Sequence, residues 1–558
     1  MKKQEKEKYK IAYFSMEIGM HPDIKTYSGG LGVLAGDILR SAADLNVPII
    51  GVTLINRYGY FNQKINKKGE QKENLFKAYN FSKLKKIKSE VSIKINRDKV
   101  YIAAWEYIIK SAKGFSVPVI LLDTNLKKNK EKYRGLTDHL YGGDREYRLL
   151  QEMILGRGGY EVIKKIGYSI KKLHINEGHG SFVAIAKFLD EKGSVKERIA
   201  KVKRTCVFTT HTPLKTANDI FPIEKVKHYQ PDFPDKLPGL VTGNKVNMTE
   251  IALYFSDYIN GVASSHQKVT RKMFPKHVIN NVTNGVHSLT WTAPEFIALF
   301  DEYIPEWRES GLSLRHAFSI PLNKIWLAHQ SAKKRLLKVI ENKTGEKFAA
   351  QVFTIGFARR FTAYKRPTLL FNDIKKFLSI HDKVGKIQLV YSGKAHPQDE
   401  IGKSLIKELN EIKKRYGKRI KIAFLENYDM KLAKLVTAGV DIWLNNPLPP
   451  NEASGTSGMK AAHNGIPQLS TLDGWWHEGY IKDKTGWAIS CSKKTGNKKQ
   501  DEKDAACIYD LLENDILPCF YHKPEVWREI MRFSIAINAS YFNTDRVVRD
   551  YIQNAYFN

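Results

Sequence analysis

Short apolar runs recur along the chain, and amphipathic segments of helical length fill the intervals between them. In the first half the runs fall at 11–16, 47–54, 118–122, 173–176, 206–210 and 258–263. In the second half they fall at 352–357, 387–392, 422–425, 440–444 and 466–470. Most are continuously apolar rather than alternating, the pattern of strands covered on both faces of a parallel sheet. Strand–helix alternation predicts an α/β architecture. The series lapses once, from about 288 to 350, where helical pattern such as 323–344 stands alone. This predicts two Rossmann-like domains, 1–290 and 291–558, with the last helices free to pack back on the N-terminal domain. Ligands of open α/β sheets bind beyond the C-terminal strand ends, so a cleft between two such sheets is the expected site.

The loops behind the runs carry the candidate chemistry. In YSGGLGVLAGDIL, Gly29, Gly30 and Gly32 precede a helical pattern that begins near Val33. Glycines let backbone N–H groups approach an anion, and a helix N-terminus favours negative charge. The spacing is neither G-x-G-x-x-G nor a P-loop. In NEASGTSGMKAAHNG, small residues from Ser454 to Gly458 lead into the helix formers Met459–Ala462, and Lys460 falls in the first turns. The expected guest is a phosphate, held by backbone donors and by hydroxyls of Thr456 or Ser457. Lys460 is either a surface amine or one that forms a Schiff base with an aldehyde cofactor. In GFARRFTAYKRP, Arg359, Arg360, Lys365 and Arg366 crowd behind a strand, where they are solvated charges or a clamp for a second phosphate. His179 in HINEGHG and His211 in FTTHTP also follow strands, and Asn284 sits in NVTNGVH.

Composition narrows the partners. The chain has 558 residues, 42% hydrophobic and 27% charged, enough for large packed cores. Net charge is +33, with the lysine excess spread over polar segments such as 83–88 and 411–421. That dispersal reads as solvated surface, and no nucleic-acid motif accompanies it. Four cysteines, Cys206, Cys491, Cys507 and Cys519, form no CxxC or zinc spacing, so no metal is expected. The count fits a reducing cytoplasm. No signal-peptide pattern opens the chain, and no apolar run reaches the roughly 18 residues of a membrane span.

Taken together, the loops resemble the glycogen, or α-glucan, phosphorylases. The resemblance runs in family order through YFSMEIG, SGGLGVLAGDIL, GYFNQKI, HINEGHG, FTTHTP, NVTNGVH, ARRFTAYKR, SGKAHP, FLENYDM and EASGTSGMKAAHNG. It is greatest for the short bacterial and archaeal members, which lack a regulatory extension, so effector control is not expected. It implies a GT-B fold, a cytoplasmic homodimer, and pyridoxal 5′-phosphate on Lys460. It also implies reversible phosphorolysis of α-1,4-glucan ends to α-glucose 1-phosphate with retention. The cofactor's 5′-phosphate would exchange a proton with substrate phosphate.

By matched position, Arg360 and Lys365 would bind substrate phosphate. Thr456, Ser457, Gly455, Gly30, Arg359 and Tyr364 would surround the cofactor. Gly29, Gly30 and Leu31 would assist with the anions. Glu452, Ala453, Ser454 and Gly455 would meet glucose, as would His179. His211 and Asn284 would hold the 6-hydroxyl end, with the His211 carbonyl facing developing positive charge. The pattern departs from the family at Arg359 (usually lysine), at Ser457-Gly458 (usually Gly-Asn) and at His463 (usually apolar). Trp475 and Trp476 stand as core residues or as a face for sugar. Three alternatives remain: a sugar-nucleotide transferase of the same fold, a non-catalytic glucan or nucleic-acid binder, and an aminotransferase-like use of Lys460.

Overall fold

The computed structural model describes residues 7–74, 77–214, 218–490 and 497–557; Cys491 lies outside them. The chain forms two compact units. Unit 1 takes the described residues of Met1–Phe61, Leu75–Thr283 and Val547–Asn558; unit 2 takes Asn62–Asn74 and Asn284–Arg546. The main division therefore falls at 283/284 rather than at 290, and two short segments cross it.

Unit 1 is built on a nine-stranded sheet. Its strands are β1 (Ile11–Ser15), β2 (Ile49–Leu54), β3 (Lys85–Ile95), β4 (Asp98–Lys110), β5 (Ser116–Asp123), β6 (Lys172–Asn176), β7 (Cys206–Thr209), β8 (Ser256–Gly261) and β9 (Asn280–Asn281). The order is β9-β8-β7-β6-β1-β2-β5-β4-β3, parallel from β9 through β5 and antiparallel beyond. Each face of the parallel part has its own core. Phe14, Val52 and Leu122 join one cluster; their neighbours Tyr13 and Leu121 join another, with Leu34, Leu39 and Tyr551. This two-sided burial is why the runs read as continuously apolar. The β3–β4 hairpin was not expected. On β3, Lys85, Lys86 and Lys88 are exposed, and near its end the alternate residues Ile93 and Ile95 turn inward. Asn96 takes φ 56° at the tip, as a tight hairpin requires. Lysines on the edge strand also discourage pairing with other chains.

The last segment closes unit 1. His174 bonds Tyr556 Oη at 2.7 Å and Thr209 Oγ1 at 2.9 Å, and Tyr551 Oη lies 2.9 Å from the same threonine.

Unit 2 holds a six-stranded, wholly parallel sheet: β10 (Phe353–Ala358), β11 (Ile387–Ser392), β12 (Lys421–Leu425), β13 (Ile442–Asn445), β14 (Gln468–Thr471) and β15 (Gly486–Ile489). The order is β12-β11-β10-β13-β14-β15. The long helix Leu322–Thr344 is tied to it by a buried ion cluster. His329 Nε2 lies 2.8 Å and Lys333 Nζ 2.5 Å from the two carboxylate oxygens of Asp441. The hairpin Asn62–Ile65 and Gln71–Asn74 belongs here because its amide side chains pair with unit 2 backbone. Gln63 Nε2 donates to the Gly393 carbonyl at 2.8 Å and Gln71 Nε2 to that of Ala395 at 3.0 Å.

Candidate active site

Three loops of unit 2 leave the C-terminal ends of the neighbouring strands β10, β13 and β14, where α/β sites form. The first loop carries the cations and the second carries Glu452. Arg359 donates through Nη2 to Glu452 Oε2 at 2.7 Å and through Nη1 to Asn445 Oδ1. Lys365 Nζ donates to the same Glu452 oxygen. All three side chains are buried. Burial would raise the Glu452 carboxyl, but Arg359 and Lys365 outweigh it and hold it at about 2. Burial, with Arg359 and Arg360 adding to it, pushes the Lys365 amine down to about 7 against the pull of Glu452. The Tyr364 ring lies 4.5 Å from Lys365 Nζ. Arg360 is exposed. Arg366 is not available to an anion: it binds Asp504 at 2.7 Å and the carbonyls of Asn446 and Pro447, so it braces the second loop. Asp473 closes the third side. Burial pushes its carboxyl up to about 7 against two backbone N–H bonds, and the charge of Glu452 adds to the rise.

The second loop runs into the helix Thr456–Ala462, capped by Gly455 at φ 83°. Ser454 is buried and its hydroxyl has no hydrogen-bond partner; Ala453 beside it is half-buried. Ser457 Oγ accepts from the Trp443 indole at 3.2 Å. Lys460 is 6% exposed, and its amine sits 3.9 Å from the centre of the Trp291 ring. Asn464 fixes that pair: its Nδ2 donates to the carbonyls of Trp291 and Lys460 at 2.9 and 3.0 Å, and its Oδ1 accepts from Ala293 N at 2.7 Å. His463 is buried one turn from Lys460. Its Nδ1 donates to Met459 O at 2.8 Å, which leaves Nε2 to accept from Ser288 Oγ at 3.1 Å. Burial holds its imidazole down at about 4, hence neutral. The departure from an apolar residue is thus a satisfied polar bridge. Trp475 and Trp476 are 1% and 0% exposed, and Trp475 packs on Phe542 at 4.7 Å. They are core residues, so neither offers a face to sugar.

Unit 1 holds the remaining expected residues except Asn284. Gly29 precedes the helix Gly30–Asp44, which starts three residues before the expected Val33. The N–H groups of Ser28 and Gly29 already donate to Glu17 Oε2, at 2.6 and 3.2 Å. The N–H groups of Gly30 and Leu31 open the helix, as orphan donors that suit an anion. A Cβ added to Gly29 or Gly30 would meet nothing within 4 Å, so the loop leaves open space there. His211 Nε2 lies 2.7 Å from Asn176 Oδ1, whose amide donates elsewhere, so Nε2 carries the proton. Burial, with His266 and His179 adding, holds this imidazole at about 3. His211 N and Thr212 Oγ1 both donate to Glu177 Oε2 at 2.8 Å. His179 Nε2 lies 3.3 Å from Asp219, and burial drives the neighbouring Glu152 carboxyl upward. Ligand atoms of Glu152, His179 and Asp219 lie within 4.8 Å of one another, a cluster the sequence reading did not foresee. Asn284 begins unit 2, buried, its carbonyl accepting from Arg546 at 3.2 Å.

Sequence reasoning missed Asn445, Glu177, Asp473 and Asn464. Each acts by holding another residue, and the available signal was an Asn or acid at or just past a strand end, or at a helix end for Asn464.

Fold and site define an α/β protein whose strand ends gather cations around a buried glutamate, in the loop that leads to a buried lysine. The family model for carbohydrate phosphorylases matches residues 239–484. A maltodextrin phosphorylase of Thermococcus litoralis is 36% identical over 98% of this chain and 70% of its own. A glycogen phosphorylase of Aquifex aeolicus is 35% identical over 98% of this chain and 86% of its own. One of Mycobacterium tuberculosis is 35% identical over 98% and 70%. The chain belongs to the carbohydrate phosphorylase family. No helix among the described residues is long and apolar enough to cross a membrane.

Proposed function

We propose that this protein catalyses reversible phosphorolysis of the non-reducing end of an α-1,4-glucan, releasing α-D-glucose 1-phosphate with retained configuration. The observation that carries the reading is the convergence of Arg359 and Lys365 on Glu452, in the loop that leads to the buried Lys460. The names of the relatives, maltodextrin and glycogen phosphorylase, support it.

The Lys460 pocket fits pyridoxal 5′-phosphate. A buried amine beside a flat indole suits a planar aromatic aldehyde. Lys460 would hold the aldehyde end, and Thr456, Ser457, Gly455, Arg359 and Tyr364 of the same unit the ring and phosphate. When bound, the cofactor supplies a phosphate whose second pKa of about 6 suits acid–base work near neutrality.

The chain's own residues then divide the work. In unit 2, Arg360 and Lys365 receive substrate phosphate; in unit 1, the N–H groups of Gly30 and Leu31 are donors suited to an anion. Near pH 7 the Lys365 amine can change charge, so it can match the charge of the anion it holds. Glu452, Ala453, Ser454 and Gly455 meet glucose; the unpartnered Ser454 hydroxyl supplies a buried donor for it. His211, neutral with its proton on Nε2, keeps Nδ1 as an acceptor for a sugar hydroxyl, and its carbonyl faces the charge that develops on the ring. Asn284 can donate to and accept from a sugar hydroxyl, and His179 is a further sugar contact of unit 1. The reading carries with it a cytoplasmic homodimer.

Maltodextrin and inorganic phosphate incubated with the protein should yield glucose 1-phosphate, with the α-anomer assigned by NMR. Chain extension from a sugar nucleotide without phosphate release from glucose 1-phosphate would favour the transferase instead.

A further inference from the structure

Asp473 stands two residues past β14 with its carboxylate 2% exposed. Its Oδ2 accepts the backbone N–H of Glu452 at 2.8 Å, and its Oδ1 accepts that of Gly474 at 2.9 Å. The next residue fastens the same seam: Trp475 N donates to the Ser454 carbonyl at 2.9 Å. Gly474 has φ 53°, and a Cβ there would lie 2.4 Å from Ser454 O, so only glycine lets the two loops approach this closely. Residues 452–454 are therefore held from both ends by the 473–475 turn. The side chain that springs from the held backbone is Glu452, on which Arg359 and Lys365 converge.

A carboxylate is a demanding choice here. It is buried beside another carboxylate, which favours a neutral group. What it alone provides is two oxygens that both accept at once. An asparagine offers one oxygen and turns an N–H2 toward a donor.

We propose that Asp473 is a positioning residue for the anion site: it fixes the Glu452 backbone, and through Glu452 it holds Arg359 and Lys365 in the arrangement that receives phosphate. The inference rests on the phosphorolysis reading for its meaning in turnover, but anion binding tests it directly.

Its consequence is specific to pH. The groups acting on Asp473 are Glu452 and Lys365; Tyr364 senses its charge, and Arg359 and Arg360 act on Lys365. As pH falls through about 7, Lys365 gains charge, which favours an anion. Over the same range Asp473 gains a proton and surrenders one of its two N–H bonds, which loosens the clamp. The two effects oppose each other.

Sulfate is the probe, because its charge stays fixed across this range. Sulfate affinity of the cofactor-loaded full chain, measured by calorimetry from pH 5.5 to 8.5, should fall on the acid side of about 7 rather than rise. Asp473→Asn should weaken sulfate about tenfold at pH 8, the loss of one hydrogen bond to a charged group. It should raise the phosphate KM by a similar factor and turn the pH profile into a steady rise toward acid. A folded Asp473→Asn with unchanged sulfate affinity and profile would overturn the proposal. Should that variant fail to fold, the wild-type profile decides: affinity rising steadily toward acid overturns the role. Wild-type protein that binds sulfate as expected yet forms no glucose 1-phosphate keeps the positioning role and overturns the phosphorolysis reading instead.

Discussion

The Lys460 amine lies 3.9 Å from the centre of the Trp291 ring, and Asn464 hydrogen-bonds the backbone of both residues. One helix thus presents its amine against an aromatic wall that the same helix end secures. Trp291→Leu removes that wall and leaves a cavity in its place. Cofactor affinity should drop about fivefold, the loss of an aromatic pair contact of roughly 1 kcal/mol beyond area. Fluorescence titration with pyridoxal 5′-phosphate measures it, and thermal stability without cofactor should fall as well, because the indole is 1% exposed.

Arg360 and Arg359 are adjacent but differently placed. Arg359 is locked on Glu452, whereas Arg360 is exposed. Arg360→Ala should therefore leave the melting temperature unchanged and raise the phosphate KM by about tenfold or more, as expected for a charge-assisted contact. Arg359→Ala should lower both stability and activity. Melting curves and initial rates for the two variants separate the roles.

Three buried histidines and the half-buried His211 are held neutral by loss of solvation: His174 and His211 at about 3, His266 and His463 at about 4. Their folded values lie below the unfolded 6.5. The stability they support is complete above about pH 6.5 and is lost as pH falls toward 4 and below. Denaturant unfolding should show stability declining steeply from pH 6.5 to 5. Over pH 6–8 the His211 ring should show no NMR titration, so any activity limb in that range belongs to other groups.

The Asp441 cluster tests the core of unit 2. Asp441→Ala leaves the Lys333 amine buried without its carboxylate. The loss should be about 3–5 kcal/mol, the usual consequence of orphaning a buried charge. Urea unfolding measures it. The triple replacement of Asp441, His329 and Lys333 by apolar residues of similar size should recover most of that loss.

The sheets were legible because burial on both faces leaves a continuous apolar record, as in IAYFS of β1 and IQLVYS of β11. The β3–β4 hairpin was not, because its exposed lysines make an edge strand look like solvated charge. The crossings of 62–74 and 547–558 between units depend on Gln63, Gln71, Tyr551 and Tyr556, whose partners lie hundreds of residues away in sequence. In the site, the loops and Lys460 stood out from their glycines and cations. The residues that hold them did not: an Asp473 or an Asn464 signals nothing until the fold sets it against Glu452 or Trp291. Trp475 and Trp476 show the converse, since a pair of aromatics beside a site proved to be core.

The most direct measurement is borohydride reduction of protein loaded with pyridoxal 5′-phosphate, followed by peptide mapping. The account predicts a pyridoxyl-phosphate mass on the peptide containing Lys460 and none in a Lys460→Ala variant. An unmodified Lys460 in loaded, reduced wild-type protein would contradict it.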